Sequence, residues 1–242
     1  MLGDDLLERL GARVPGDHAR QVVAERLVED WHPRLRRGGE GLRVVDLGCG
    51  SGHSVDFFRG LDPAARWTGV DLPQSPEVAT RVRTDAEFLT FDGVSIPLED
   101  GAADLVFCKQ VLEHVEQPAP LLAEVARVLG PGGHLVGSTS QLEPYHSLSQ
   151  FNYTPVGLAR LFEEAGLETL ELRPGIDALT LIVRRGLGSP ALFLRWWARE
   201  SPLNRAIDLF ARARRLETRQ ANGLKLMFCG QFGFVARRPD VT

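Results

Sequence analysis

Short apolar runs and helical stripes alternate along this chain. Leu42, Val44, Val45 and Leu47 form a brief, nearly continuous apolar segment, the pattern of a strand buried on both faces of a parallel sheet. Arg66-Trp67-Thr68-Gly69-Val70, Ala103-Asp104-Leu105-Val106-Phe107-Cys108, His134 to Thr139 and Leu167 to Leu172 repeat the theme as further strands. Between them the spacing turns helical. Ser54 to Phe58 opens one helix, Leu121, Leu122, Val125, Val128 and Leu129 stripe a second, and Leu158, Leu161, Phe162 and Ala165 a third. Gly130-Pro131-Gly132-Gly133 reads as the stop of the second, with glycine in a left-handed cap. Thr154-Pro155 opens the third as cap and first residue, and Gly166 ends it. An N-terminal helix is predicted from Asp17 to about Leu35, on Val22, Val23, Leu27 and Trp31. The alternation predicts an α/β fold.

The stretch Asp46-Leu47-Gly48-Cys49-Gly50-Ser51-Gly52-His53 joins the first strand to the first helix. Glycines without Cβ let backbone approach a ligand, and the helix N-terminus offers free N–H groups. Glycine also serves any tight strand-to-helix turn, so the turn alone decides little. The second strand ends in Asp71, about twenty residues on, where a carboxylate can accept from ribose hydroxyls. That spacing suits NAD as well as other nucleosides. The dinucleotide fingerprint, however, is G-x-G-x-x-G. Here Gly48, Gly50 and Gly52 alternate, and Asp46 stands before the turn, where an anion repels a pyrophosphate and suits a ligand carrying an ammonium group.

With Asp46-Leu-Gly48-Cys-Gly50-Ser-Gly52 and Asp71 in place, the chain resembles motif I of the class I S-adenosylmethionine-dependent methyltransferases. The resemblance runs from about Arg43 to Arg173. Leu112-Glu113-His114-Val115 after the central strand resembles its small-molecule, type 11 branch. It implies a Rossmann-like, seven-stranded and mostly parallel sheet with helices on both faces and an antiparallel last strand. It also implies S-adenosylmethionine as cofactor, with S-adenosylhomocysteine as product. The cofactor residues it implies are Asp46, Gly48, Cys49, Gly50 and Gly52 at the turn, Asp71 and Leu72 at the ribose, Asp92 and Gly93 at the adenine, and Lys109 at the methionine portion. Asp85 competes with Asp92. His114 is either a base or a structural hydrogen-bonding residue, and His18 or Arg20 meets either the cofactor carboxylate or solvent.

Composition narrows the function. A net charge of −4 gives no global reason for nucleic-acid binding. Cys108-Lys109-Gln110-Val111 stands where an Asn/Asp-Pro-Pro-aromatic motif would mark methylation of bases. Cys49, Cys108 and Cys229 lack metal spacing and read as buried thiols, and no metal is implied. An acidic start without an apolar run, and the lack of eighteen consecutive apolar residues, give a cytoplasmic expectation.

The loop 141–153 after the fifth strand holds both tyrosines. A hydroxyl acceptor benefits from a base, for which His146 is the candidate, with Tyr145 or Tyr153 orienting the acceptor. The expected reaction is methylation of a small-molecule or glycan acceptor at oxygen, of natural-product, sugar or lipid-linked type. N- or C-methylation, a non-catalytic binding module and a NAD-dependent enzyme are the alternatives. The expected layout is one domain: a helical cap over 1–41, the cofactor core 42–175, a helical insertion 186–222 and a last strand within 224–238. The stretch 177–185 is helix or strand. Ser189-Pro190 and Ser201-Pro202 each predict a helix start. This basic, aromatic insertion (189–219) is expected to pack on the core, form a homodimer contact, or meet an anionic substrate or membrane surface.

Overall fold

Strands form where the apolar runs predict them in the first half of the chain. The computed structural model describes residues 3–35 and 41–240. Residues 36–40, at the end of the helical cap expected over 1–41, lie outside the described residues. The N-terminal part gives α1 (Asp4–Leu10), a 3₁₀ turn (Gly11–Arg13) and α2 (Ala24–Leu35). Then follow β1 (Arg43–Leu47), α3 (Ser54–Leu61), β2 (Arg66–Asp71), α4 (Pro76–Ala79), β3 (Glu87–Thr90) and β4 (Ala103–Lys109). Next come α5 (Pro118–Val128), β5 (Leu129–Ser140), α6 (Pro155–Glu164) and β6 (Glu168–Pro174). The chain continues through α7 (Ala178–Gly186), α8 (Arg195–Ala198), α9 (Pro202–Arg214), α10 (Thr218–Phe228) and β7 (Gln231–Arg237).

The seven strands lie in the order β3-β2-β1-β4-β5-β7-β6. All run parallel except β7, which is antiparallel to both β5 and β6. Strand order reverses between β1 and β4, so their carboxyl ends open a crevice where ligands of such sheets bind. The two faces bury alternate residues of each strand. Val45, Val106 and Leu135 join Phe162 and Phe234 on one side. Val44, Leu105 and Val136 join Leu27 and Phe58 on the other. The expected sheet, with its antiparallel last strand, is what forms.

Several boundaries differ from the sequence reading, each for a local reason. The helix expected from Asp17 begins only at Ala24. Asp17 is drawn instead onto Arg173, accepting from Nη2 at 2.8 Å on both oxygens. Val22 donates to Pro174 O at 3.0 Å, so this stretch is extended along β6. The glycine-proline run after α5 does not cap it in a left-handed turn. Leu129 is already extended, β5 starts there, and of the run's glycines Gly132 takes positive φ. Gly132 N–H donates to Arg238 O at 2.8 Å, which spends the run on pairing across the sheet edge.

The stretch 177–185 is helical, with Asp177 capping α7 through Thr180 N–H. Ser189 caps nothing: it sits at φ 61, and a 3₁₀ turn over Ala191–Leu194 follows. Ser201 precedes α9 without a side-chain cap bond, because its hydroxyl accepts from Asp177 N–H at 3.1 Å. The last strand starts at Gln231, since Leu226, Met227 and Phe228 belong to α10. Glu217 and Gln220 form a reciprocal capping box that starts this helix. The insertion between β6 and β7 is therefore helical up to Phe228.

Candidate active site

β1 delivers Asp46 and Leu47 to the crevice, and the chain then turns on three glycines with positive φ: Gly48 at 72°, Gly50 at 52° and Gly52 at 81°. L side chains rarely adopt such angles. At Gly48 a Cβ would also lie 2.4 Å from Val111 Cγ2. The turn is anchored to β2 by Gly48 N–H donating to Val70 O at 2.8 Å. Asp71, buried at the tip of β2, accepts from Gly50 N–H at 2.6 Å and from Leu72 N–H at 2.7 Å. Both carboxylate oxygens are thus oriented by backbone donors at the crevice rim.

Asp46 is buried, and burial pushes its carboxyl up from the ordinary 3.8 to about 7. Ser54, the first residue of α3, donates its hydroxyl to Asp46, and Trp67 Nε1–H donates to Ser54 Oγ at 2.9 Å. A cation placed against Asp46 would favour its charged form. Cys49 is buried between the two acids, and its thiol is raised to about 12 by burial first and their charge second. It is inert in that state.

Asp92 lies just past the tip of β3, beside Phe91, whose N–H donates to Asp71 O at 3.1 Å. Its Oδ1 accepts from Val94 and Ser95 N–H at 2.9 and 2.6 Å, which holds its carboxyl below the ordinary range. Gly93 follows with φ 95 and Leu72 Cδ2 at 3.5 Å from its Cβ position. Asp85 precedes β3, away from the carboxyl ends of the strands, and pairs with Arg59 at 2.5 Å and Arg83 at 3.2 Å. Lys109, the last residue of β4, pairs with Glu25 of α2 at 2.5 Å. His18 lies against Arg173, with Nδ1 3.4 Å from Nη1.

Beyond Lys109 the crevice continues into a small cleft. Lys109, Gln110, Ser138 and Gln231 give it polar walls; Val22, Ile176, Trp197 and Phe232 give it apolar ones. Its roof is tied down by Gln21, which donates to Trp196 O at 2.6 Å and accepts from Ser201 N–H and Asn204 Nδ2–H at 2.8 Å. Gln231 receives Trp197 Nε1–H at 3.2 Å and donates to Glu143 Oε2 at 2.8 Å.

Behind that wall lies a polar cluster. Glu113, fully buried, accepts from Thr139 Oγ1 at 2.9 Å. Ser140 Oγ lies 3.2 Å from Glu113 and 2.7 Å from Glu143. One hydroxyl hydrogen cannot serve two carboxylates, and it goes to the nearer Glu143. Burial raises the pKa of Glu113. His146 Nδ1 is 3.9 Å from Glu143, and its ring meets that of His114 edge to face at 5.2 Å. Glu113, His114 and His146 bring ligand-type atoms within 4.8 Å of one another, the one group with cation-binding spacing among the described residues. His114, half-buried, has its pKa lowered by burial and then by His146. Tyr145 is exposed, its carbonyl accepting from Arg185 at 2.6 Å. His146 therefore stands one residue behind the cleft wall, and Tyr145 is outside it.

Sequence reasoning passed over Val111, Glu77 and Arg81, which pack on the turn. Arg81 donates to Gly50 O from Nε and Nη2 at 2.9 and 2.6 Å, and Glu77 Cβ lies 3.0 Å from the Cβ position of Gly50. It also passed over Gln21, Trp197, Gln231 and Glu143, whose contacts span up to 183 residues and leave no local pattern. Ser54 had a signal: it opens the helix after the glycine turn, where a short hydroxyl can face the preceding strand.

Comparison with known proteins agrees with this geometry. A family profile described as "Methyltransferase domain" matches residues 45–137. The ubiquinone biosynthesis O-methyltransferase of Thiobacillus denitrificans is 32% identical over 158 residues, covering 54% of this chain and 67% of that protein. An uncharacterized 37.1 kDa protein of a Streptomyces fradiae transposon is 40% identical over 101 residues; the match covers 40% of this chain but only 29% of that protein. Among solved structures, phosphoethanolamine N-methyltransferase 2 of Haemonchus contortus, in complex with S-adenosyl-L-methionine, superposes with a TM-score of 0.53 at 16% identity. That alignment covers 89% of this chain and 53% of the other, and shows the shared fold. The chain belongs to the class I S-adenosylmethionine-dependent methyltransferases. S-adenosylmethionine is its cofactor. The residues fit that group: a turn with no room for Cβ atoms, a backbone-oriented carboxylate at the rim and a buried acid suited to a cation.

Proposed function

We propose that the chain methylates an oxygen of a small-molecule or glycan acceptor held in the cleft beyond Lys109. When bound, the cofactor supplies an electrophilic methyl carbon on sulfur. The protein's work is then to hold donor and acceptor in line and keep water out. Asp71 and Leu72 face the ribose in this reading, Asp92 and Gly93 the adenine. The bare main chain of Gly48, Cys49 and Gly50, with Asp46, takes the amino-acid end. The observation that carries the proposal is continuity. Val111 packs on Gly48, and Lys109 and Gln110, two and one residues before it, line the acceptor cleft.

Methylation at oxygen is supported by the O-methyltransferases to which the chain is similar. It is also supported by the base-like cluster behind the cleft. His146 does not line the cleft, so in this reading it takes up the hydroxyl proton by relay through Glu143, which at 3.9 Å stabilises the imidazolium formed. The test is a panel of hydroxyl and amine acceptors assayed for S-adenosylhomocysteine release and for product mass. Methyl ethers are expected, and turnover confined to amines contradicts the reading.

A further inference from the structure

Large apolar side chains are exposed mainly in one part of the chain. Of fifteen such residues among those described, twelve lie between Leu142 and Phe210. α7 shows why. Ala178, Thr180 and Leu181 face the core, whereas Leu179, Ile182 and Val183, spaced i, i+3, i+4, make a second apolar stripe in solvent. Leu187 extends it, and Leu192 and Leu194 follow on the 3₁₀ turn. α9, against which α7 packs, adds Leu209 and Phe210. Arg185, bonded to the Tyr145 carbonyl, brings the exposed Tyr145 and Leu148 alongside. An apolar surface of this extent marks an interaction site.

Charge selects the partner. The stretch 184–215 carries eight arginines against two carboxylates, Glu200 and Asp208, a net +6 in a chain of −4. Both carboxylates already face the buried Lys225 Nζ, at 3.1 and 2.8 Å. Seven of the arginines are exposed. Arg195 stacks over Trp196 at 4.5 Å and Arg184 over Trp197 at 5.3 Å, holding cations beside indoles at the edge of the apolar face. A second copy meeting this face across a two-fold axis would set the arginines against themselves. An anionic bilayer answers both features, taking apolar side chains into its acyl boundary and pairing headgroups with guanidinium.

We infer that this face docks on an anionic lipid bilayer, with the acceptor cleft opening at the membrane surface. Trp197 joins the two: one part of its indole lines the cleft and bonds Gln231, while its ring stacks on Arg184. A lipid-linked acceptor can then enter the cleft with its tail in the bilayer, an extension that rests on the methyl-transfer reading above. Docking itself does not rest on it.

The test is vesicle flotation of the full chain with phosphatidylcholine alone and with phosphatidylcholine containing phosphatidylglycerol. Binding is expected to the second only, weakening as salt is raised. The triple variant R212E/R214E/R215E is expected to lose affinity on the order of a hundredfold. I182D/L187D is expected to lose it too, while both variants keep the melting temperature and S-adenosylhomocysteine affinity of the unaltered chain. Negligible flotation with both vesicles, or flotation indifferent to both variants, overturns the inference. So does self-association that the same variants abolish, which assigns the face to a second copy. Cofactor titration on the same preparation separates the two readings. Retained cofactor binding without flotation removes docking alone, whereas flotation without cofactor binding removes the methyl-transfer reading alone.

Discussion

The carboxylate of Asp71 and the amide of Gly50 meet at 2.6 Å, which ties the tip of β2 to the middle of the glycine turn. Two strand ends are thereby fixed in one crevice wall, and the carboxylate proposed to receive the ribose is held in place. Asp71→Ala is expected to weaken S-adenosylhomocysteine binding by about 1–3 kcal/mol, the scale of hydrogen bonds to a charged group. Calorimetric titration checks this, and unchanged affinity contradicts the ribose assignment.

Gly48 has both positive φ and a near neighbour. Gly48→Ala is expected to cost about 1–2 kcal/mol for left-handed backbone, with an added penalty for crowding Val111. Gly166, at φ 78 with open space around its Cβ position, supplies the comparison. Urea denaturation of Gly48→Ala and Gly166→Ala, with Val111→Ala added to the first, separates strain from crowding. Equal losses at both sites, with no relief from Val111→Ala, contradict the packing described.

Asp46 makes cofactor binding depend on pH. Its folded value of about 7 lies above the ordinary 3.8, so the free protein holds this group protonated below neutrality. A ligand ammonium prefers the carboxylate. Affinity for S-adenosylhomocysteine is therefore expected to rise with pH towards about 7 and then level, with proton release on binding below that point. Titrations in buffers of different ionisation enthalpy measure the release. Asp46→Asn is expected to abolish it, and an unaltered release in that variant rejects the assignment.

Glu113 is raised as well, but its effect on stability runs the other way with pH. Its raised folded value means that its contribution is complete below the unfolded carboxyl range and is lost as pH rises through the folded value. Glu113→Gln keeps a donor for Ser140 and an acceptor for Thr139. Its melting temperature is expected to fall less than that of the unaltered chain between acid and alkaline pH. Parallel pH profiles for the two proteins exclude a protonated Glu113.

His146→Ala is expected to lower turnover by about 10²–10⁴-fold, the usual range for a general base, while leaving cofactor affinity intact. Normal turnover on a hydroxyl acceptor in His146→Ala dismisses it as the base.

The glycine turn and the two acids flanking it were legible because motif, strand and helix are contiguous there, each supporting the next. Asp92 was preferred to Asp85 at the adenine, and the position of β3 puts the first at the carboxyl end of the sheet and the second at the opposite end, on Arg59 and Arg83. The start of α2 was misplaced because Asp17 obeys Arg173, a partner 156 residues away. The run from Leu226 to Phe228 has strand-like composition yet ends a helix, whose buried Lys225 and Asn222 bind the carbonyls of Ala19, Pro15 and His18. Long-range polar ties of this kind leave no periodic trace. The cleft was invisible for the same reason: Gln21, Gln110, Trp197 and Gln231 come from four distant segments.

The placement of the cofactor across the tips of β1 and β2 is the claim on which the residue roles depend. A crystal structure with S-adenosylhomocysteine tests it most directly. The ribose hydroxyls are expected within hydrogen-bond distance of Asp71, with the amino-acid end over Gly48 to Gly50 and the sulfur facing the cleft at Gln110. A ribose held elsewhere, or a sulfur turned away from that cleft, contradicts it.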